Sequence, residues 1–129
     1  NLLRPYPFLL CGGLALGESA TAEGVKDAKP LNAGSMFTAK DGGANVWLWM
    51  NFTKATAPTT AWLRWVREVH SIDGKTDWQL VHFIPAAVKG SPYTTWYYVG
   101  CEPGSWMVDV LSADGKRVLG TQAFAVVKP

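Results

Sequence analysis

The sequence has few of the features that mark metal-binding or nucleic-acid-binding proteins. It contains two histidines and two cysteines, and no C-x-x-C or comparable spacing of metal ligands occurs. Charged residues make up 17% of the chain, the formal net charge is +2, and basic residues are scattered singly. The sequence therefore predicts no metal site, no cofactor and no nucleic-acid partner.

The ionisable residues form no convergent catalytic set. Three aspartates each precede a glycine, and Asp-Gly pairs are ordinary β-turn residues. These are Asp41, Asp73 and Asp114. His70 and His82 could face each other across a hairpin, but no third metal ligand lies at a suitable spacing. We therefore expect a protein that is not an enzyme and has no catalytic residue.

Cys11 and Cys101 are the only cysteines. A disulfide between them would require an oxidising compartment, and two unpaired thiols fit the sequence equally well. No flanking motif indicates that Cys101 is a nucleophile. The run from Phe8 to Gly12 is similar to a lipoprotein acylation site, although Leu10 stands where a small residue is expected. Cys11 is thus a candidate for lipidation, and both cysteines are candidates for a disulfide.

The longest uncharged stretch near the N-terminus, from Pro5 to Gly17, has about thirteen residues. It is too short for a membrane-spanning helix and has the length of a signal-peptide core. Its prolines and glycines disfavour a helix, and ordering it costs about 1 to 2 kcal/mol per residue. Order therefore needs a contact, either with the edge of its own domain or, as we favour, with a partner subunit or a membrane surface. The expected contact residues are Leu2, Leu3, Tyr6, Phe8, Leu9 and Leu10.

Large aromatic rings and short alternating segments are abundant. Aromatic residues make up 12% of the chain, and four of the seven tryptophans lie between Asn45 and Val69. That stretch predicts two strands joined around Pro58, as a hairpin or as a crossover between two sheets. Residues 46–52 are apolar at both parities, which predicts a strand buried on both sides.

Further strands are predicted at residues 19–26, 35–40, 77–84, 93–99, 105–111 and 117–127. Residues 27–34 and 86–91 are predicted loops, the second bracketed by Pro85 and Pro92. About seven to nine short strands without a helical period indicate an all-β, antiparallel β-sandwich. We expect one such domain at residues 20–129, preceded by an extended apolar anchoring or docking segment at residues 1–19. Trp65 and Trp106 are the expected centre of the core.

The predicted strand at residues 93–99 is rich in aromatic side chains. Trp96 and Tyr98 share one parity, and Tyr93 and Tyr97 share the other. Because both sides cannot belong to one core, one pair is expected to be exposed, although burial of both sides is the alternative. Exposed rings bind sugars, headgroups or proteins. All four residues are therefore candidate partner-binding residues.

Several short motifs between Thr21 and Val127 resemble an uncharacterised family of bacterial cell-envelope domains of unknown function. The matching residues are Phe52-Thr53, Pro58-Thr59-Thr60, Trp65, Tyr93-Thr94-Thr95-Trp96, the run from Gly104 to Val110, Gly115, Leu119 and Phe124-Ala125-Val126. The final hairpin is the best match, and residues 66–77 depart from the family as an insert. The resemblance implies an immunoglobulin-like β-sandwich at the bacterial membrane or in the periplasm, with no known catalytic residue.

These observations favour a non-catalytic accessory or structural subunit of a membrane-associated multiprotein assembly in the bacterial periplasm or cell envelope. A photosynthetic or respiratory complex would be an example. Docking is expected through the N-terminal segment and one aromatic face, onto subunits of a membrane-protein complex or onto the membrane surface. The alternative is a carbohydrate-binding module of the cell envelope that uses Trp96.

Overall fold

A computed structural model describes residues 13–55 and 58–129. In that part of the chain there are ten strands and no helix. The strands are β1 (Leu14–Ala22), β2 (Gly24–Lys26), β3 (Lys29–Leu31), β4 (Met36–Thr38), β5 (Ala44–Ala55), β6 (Thr59–His70), β7 (Thr76–Val88), β8 (Tyr93–Cys101), β9 (Gly104–Leu111) and β10 (Val118–Val127).

The strands form two main sheets and one small hairpin. The first sheet has the order β1-β5-β8, the second has the order β4-β10-β9-β6-β7, and β2 pairs with β3. All pairs are antiparallel except β4 with β10, which is parallel. The predicted all-β sandwich is therefore confirmed. The described residues form ten strands instead of the predicted seven to nine, because three strands of only three residues, β2, β3 and β4, add to the seven long ones.

The tryptophan-rich stretch crosses between the two sheets. Strand β5 is the centre of the three-stranded sheet, and β6 lies inside the five-stranded sheet. Of the two connections predicted for this stretch, the structure has the crossover. The inward side of β5 is fully buried through Val46, Leu48, Met50 and Phe52, because this side faces the other sheet.

The core lies between the two sheets. Trp65 of β6 and Trp106 of β9 are both buried there, as predicted. Phe124 of β10 packs between them, with ring centroids 6.0 Å from Trp65 and 6.1 Å from Trp106. Burying a large apolar side chain contributes about 1.5 to 3 kcal/mol, so this cluster supplies much of the stability of the domain.

Two predicted loops are partly strand. Within residues 27–34, Lys29–Leu31 forms β3, because Asp27 and Ala28 take positive φ angles of 53° and 59° and close a tight turn. At residues 86–91, β7 continues through Pro85 to Val88. Strand β7 is an edge strand, and an edge tolerates the missing N–H of a proline.

Strand β1 begins at Leu14 and pairs with β5 from there onward. Leu14 is buried in the core. The predicted boundary between residues 19 and 20 thus falls inside β1, and residues 14–19 are part of the sandwich. Residues 1–12, with the contact residues expected among them, lie outside the described residues.

Candidate docking face

Strand β8 separates its aromatic residues onto two sides. Trp96 and Tyr98 point away from the sandwich and are 36% and 53% exposed. Tyr93 and Tyr97 point inward and pack against the core while remaining partly buried. The alternation of a strand produces this division, and Trp96 and Tyr98 are therefore the two rings of β8 that a partner can reach.

The register between β5 and β8 places two more rings on the same outer side. Trp47 lies opposite Tyr98, and Trp49 lies opposite Trp96. The rings of Trp47 and Tyr98 stack with centroids 4.5 Å apart and an interplanar angle of 27°. We call Trp47, Trp49, Trp96 and Tyr98 the aromatic face.

The small β2–β3 hairpin borders the aromatic face. Trp49 donates a hydrogen bond from Nε1 to the carbonyl oxygen of Ala28, at 2.8 Å. This bond satisfies the indole N–H and holds the ring of Trp49 against the sheet, where it is almost fully buried. Trp49 therefore supports the face, and Trp47, Trp96 and Tyr98 present it.

The strand residues around the aromatic face are polar but uncharged, whereas the bordering β2–β3 hairpin carries Lys26, Asp27 and Lys29. Thr94 donates a hydrogen bond to the side-chain oxygen of Asn51 at 3.2 Å, in the row next to Trp49 and Trp96. The outward residues of β5 from Asn45 to Asn51 and those of β8 from Thr94 to Gly100 include no charged side chain. A surface that combines exposed rings with few charges has the composition of an interface core.

Sequence reasoning missed Trp47 and Trp49 as parts of this face. The apolar parity of β5 on both sides predicted burial on both sides, and the inward side is buried. The outward side is covered in part by the β2–β3 hairpin, which the sequence did not reveal. The shared parity of Trp47 and Trp49 indicates that both rings lie on one side of β5. It does not indicate that β8 is the neighbouring strand, and the face depends on that pairing.

A second apolar surface lies on the outer side of the five-stranded sheet. Trp62 stacks on Phe83 with centroids 5.2 Å apart, and Trp78 and Leu80 are exposed farther along β7. A charged network interrupts this surface. Arg64 donates to Asp109 at 2.9 Å, and Thr121 donates to the same carboxylate at 2.7 Å. The strand residues of the aromatic face carry no such charges, which makes this face the better candidate for a docking interface.

The ionisable candidates do not converge. His70 lies opposite Thr76, and His82 lies opposite Trp65, so the hairpin keeps the two histidines apart. His82 contacts the carbonyl oxygen of Gly100 at 3.0 Å through Nε2. Within residues 13–55 and 58–129, no group of three or more His, Cys, Asp or Glu could hold a metal ion.

Cys101 is a buried thiol at the end of β8. Burial raises its pKa to about 12, because a thiolate is poorly solvated in the core. The thiol is thus protonated and unreactive near neutral pH. Cys11, with its expected lipidation or disulfide, lies outside the described residues.

The fold is similar to that of an immunoglobulin-like protein from Pseudomonas aeruginosa, with a TM-score of 0.53 and 17% sequence identity. The match covers 88% of this chain and 95% of that chain. A β-glucosidase of family GH3 from Bifidobacterium adolescentis matches with a TM-score of 0.47 and 10% identity, over 88% of this chain and 17% of that chain. The first likeness shows an immunoglobulin-like fold, and neither carries a function across.

No protein-family model matches the chain, and no curated protein sequence matches it significantly. The similarity to a cell-envelope family of unknown function therefore stays a prediction. In the part of the chain that the structure describes, no helix could span a membrane.

Proposed function

We propose that this chain is a non-catalytic accessory subunit of a membrane-associated assembly in the bacterial periplasm or cell envelope. It docks onto a protein subunit of that assembly through the aromatic face, together with the N-terminal residues Leu2, Leu3, Tyr6, Phe8, Leu9 and Leu10. The observation that carries the proposal is the exposure of Trp96 and Tyr98 beside Trp47, among uncharged outward residues of β5 and β8.

The chemistry of the aromatic face favours a protein partner. Interface cores are enriched in Tyr and Trp and depleted of charge, because large rigid rings bury much area at little entropic cost. A few such rings usually carry most of the binding energy. The envelope location is supported by the apolar N-terminal segment, whose composition suits a membrane-proximal environment. The fold alone is neutral, since β-sandwiches have many functions.

The proposal is tested by isolating the tagged full-length chain from its source cells in a mild detergent and identifying the subunits that accompany it. Trp96→Ala should weaken association with those subunits by about 2 kcal/mol or more, roughly thirtyfold, if Trp96 is a central contact. Removal of residues 1–12 should weaken it further. The deletion must end before Leu14, because that side chain is part of the core.

Trp78→Ala is the matched control. Trp78 is exposed to nearly the same extent as Trp96 but lies on the other sheet. It should leave the accompanying subunits unchanged. Full association of the Trp96→Ala variant, with the stability of the domain intact, would contradict the proposal.

A carbohydrate-binding module is the second candidate. It is favoured by the hydrogen-bonded pair of Asn51 and Thr94 beside Trp96, because sugar recognition needs polar groups next to a ring. A glycan array probed with the full-length chain separates the two functions. Binding to one class of glycan that is lost in Trp96→Ala supports this module, and an array without binding excludes it.

A further inference from the structure

The outer side of the five-stranded sheet carries an apolar row that crosses four strands. Val66 of β6 pairs with Leu80 of β7 and with Met107 of β9, and Met107 pairs with Ala123 of β10. The residues that precede Val66 and Met107, and the residue that follows Ala123, are buried in the core. By the alternation of a strand, the four paired residues therefore face outward. We call them the apolar row.

The apolar row is unusual for a sheet with water on one side. Such a sheet normally directs apolar residues toward the core and polar residues toward water. The apolar row contains no polar side chain, and Leu80 within it is exposed. Trp78 and Phe83 extend it along β7 and are exposed as well. A contiguous exposed apolar surface usually marks an interaction site.

Two opposite charges flank the apolar row on β6. Arg64 lies two residues before Val66, and Glu68 lies two residues after it, so both side chains share the outer side. Arg64 pairs with Asp109 at 2.9 Å and Glu68 pairs with His70 at 3.6 Å, so the two do not pair with each other. Among the described residues, Nη1 of Arg64 donates no hydrogen bond. Both charges can therefore take a further partner.

The other carboxylate beside Arg64 is neutralised within the chain. Asp109 accepts hydrogen bonds from Arg64 at 2.9 Å and from Thr121 at 2.7 Å, and its side chain is only 13% exposed. It therefore presents little unpaired charge. The guanidinium of Arg64 has five N–H donors, so it can hold Asp109 and a second carboxylate together.

A twofold axis along the apolar row makes this face complementary to itself. The axis lies in the plane of the interface, perpendicular to the strands, and sets β6 antiparallel on β6 of a second copy. Val66 then meets its own counterpart. Arg64 of each copy lies opposite Glu68 of the other, because the two residues are equally far from the axis. On β7, Phe83 of each copy lies opposite Trp78 of the other.

We propose that the outer side of the five-stranded sheet binds a second copy of this chain about a twofold axis that follows the apolar row. Sheets that pack face to face keep their strands within about 30° of each other, so the correspondence holds close to the axis. The inference is independent of the proposed function. The aromatic face belongs to the other sheet and stays free in both copies.

The size of the face fits a weak dimer. Four strands span about 19 Å, and the eight steps from Trp62 to His70 span roughly 26 Å, which gives a footprint of about 500 Å² per copy. The total of about 1,000 Å² lies at the lower end for specific interfaces. We therefore expect a dissociation constant of roughly 10 µM and a dimer that dissociates on dilution.

Sedimentation velocity of the full-length chain at about 1 to 300 µM tests the dimer. The unmodified chain should pass from monomer to dimer over this range. Glu68→Lys sets a like charge opposite Arg64 at both symmetric contacts and should weaken the dimer by about tenfold or more. Asp77→Lys is the matched control, with the same change of charge on the same hairpin. Asp77 pairs with Val69, on the other side of that hairpin, and its replacement should leave the equilibrium unchanged.

A mixing experiment tests which residues face each other. Arg64→Glu is combined with Asp109→Asn, so that two carboxylates do not meet within one chain. This variant should also weaken self-association by about tenfold or more, because its new carboxylate faces Glu68. Mixed with the Glu68→Lys chain, it should form a one-to-one dimer with the affinity of the unmodified chain, since opposite charges then meet at both contacts. Thermal unfolding of each chain verifies that both variants are folded.

Each contrary result overturns the proposal. An unmodified chain that stays monomeric throughout the concentration range excludes a second copy as the occupant of this face. Equal weakening by Glu68→Lys and Asp77→Lys, or a mixture no more dimeric than its components, excludes the proposed axis. Self-association that Glu68→Lys leaves undiminished comes from another surface, such as the N-terminal segment.

The outcome leaves the docking test with Trp96→Ala unaffected. Trp78→Ala should also weaken the dimer, but a monomeric chain keeps its complete aromatic face on the other sheet. Trp78→Ala therefore remains a valid control for the subunits that accompany the chain. Failure of the dimer and failure of the docking proposal are thus separate results.

Discussion

Trp65 and Trp106 occupy similar positions in the core but satisfy their indole N–H groups differently. Trp106 donates from Nε1 to the carbonyl oxygen of Glu102 at 2.8 Å. Nε1 of Trp65 is buried and has no hydrogen-bond partner among the described residues. An unsatisfied buried donor costs stability, whereas a satisfied one contributes about 1 kcal/mol. Substitutions at the two residues therefore distinguish the contribution of ring packing to stability from that of the hydrogen bond.

Replacing either tryptophan by alanine should lower the free energy of unfolding by about 3 to 5 kcal/mol, because a large cavity remains. Replacement by phenylalanine should distinguish them. Trp106→Phe loses the bond to Glu102, and Trp65→Phe removes a donor without a partner, so Trp106→Phe should cost about 1 kcal/mol more. Urea denaturation measures both, and a larger loss in Trp65→Phe would contradict this assignment.

Two hairpin tips are built from the same five-residue pattern, Ser-x-Asp-Gly-Lys. In the β6–β7 tip, Asp73 accepts from the Ser71 hydroxyl and from the Lys75 N–H. In the β9–β10 tip, Asp114 accepts from the Ser112 hydroxyl at 2.6 Å and from the Lys116 N–H at 2.9 Å. These bonds lower the pKa of both aspartates, with the serine hydroxyl as the largest cause.

A lowered pKa means that Asp114 stabilises the fold when ionised. This contribution is complete above the pKa of the unfolded chain, about 3.9, and is lost as the pH falls through the folded value. Asp114→Ala should therefore lower the melting temperature near pH 6, and the difference from the unmodified chain should narrow as the pH falls below about 3.9, the pKa of an aspartate in the unfolded chain. Thermal unfolding at several pH values measures this, and a constant difference would contradict it.

Asp73→Ala is the internal comparison for this element. Strand β6 pairs with β9 only from Trp62 to Arg67, so the tip that contains Asp73 contacts the rest of the sandwich less than the β9–β10 tip does. The same substitution should therefore shift the melting temperature less at Asp73 than at Asp114. Equal shifts would show that both turns contribute only locally.

The elements that sequence patterns predicted are those fixed by local chemistry. The alternation of apolar and polar residues predicted the long strands, and the Asp-Gly pairs predicted both hairpin tips. Strand β3 was missed because Ala28 takes a positive φ angle, which alanine seldom adopts. The continuation of β7 was missed because Pro85 is compatible with a strand only at an edge, and edge position depends on the whole sheet.

At the scale of the whole molecule, the sequence did not predict which distant strands pair with each other. The division of β8 into an inner and an outer side could be predicted from parity, but which side would be exposed depended on where β5 and β7 lie. The aromatic face therefore became complete only when Trp47 was placed beside Tyr98. The prediction for residues 1–12 stays untested by the described part of the chain.

The sheet register also places Leu14, three residues after Cys11, far from Cys101. Leu14 pairs with Ala55 and Cys101 pairs with Ala44, eleven positions away along β5. This distance is roughly 35 Å at the rise of a strand. Cys11 is three links from Leu14 and can approach Cys101 by roughly 10 Å at most. A disulfide needs Cα atoms within about 7 Å.

We therefore expect no disulfide between Cys11 and Cys101 within one folded chain. Peptide mapping of the monomeric protein without reduction should yield no peptide that links them. Cys101 should be alkylated only after unfolding, since its thiol is buried and its pKa is raised. A linked peptide from the monomer would contradict the register of the three-stranded sheet.

The outlying β6–β7 tip has a practical consequence for labelling. Ile72 at this tip is fully exposed, and residues 68–70 bond only to their own hairpin partner among the described strands. A fluorophore or a short epitope placed at Ile72 would stand clear of both the core and the aromatic face. The tip thus offers an attachment point from which the orientation of the sandwich within a larger particle could be read.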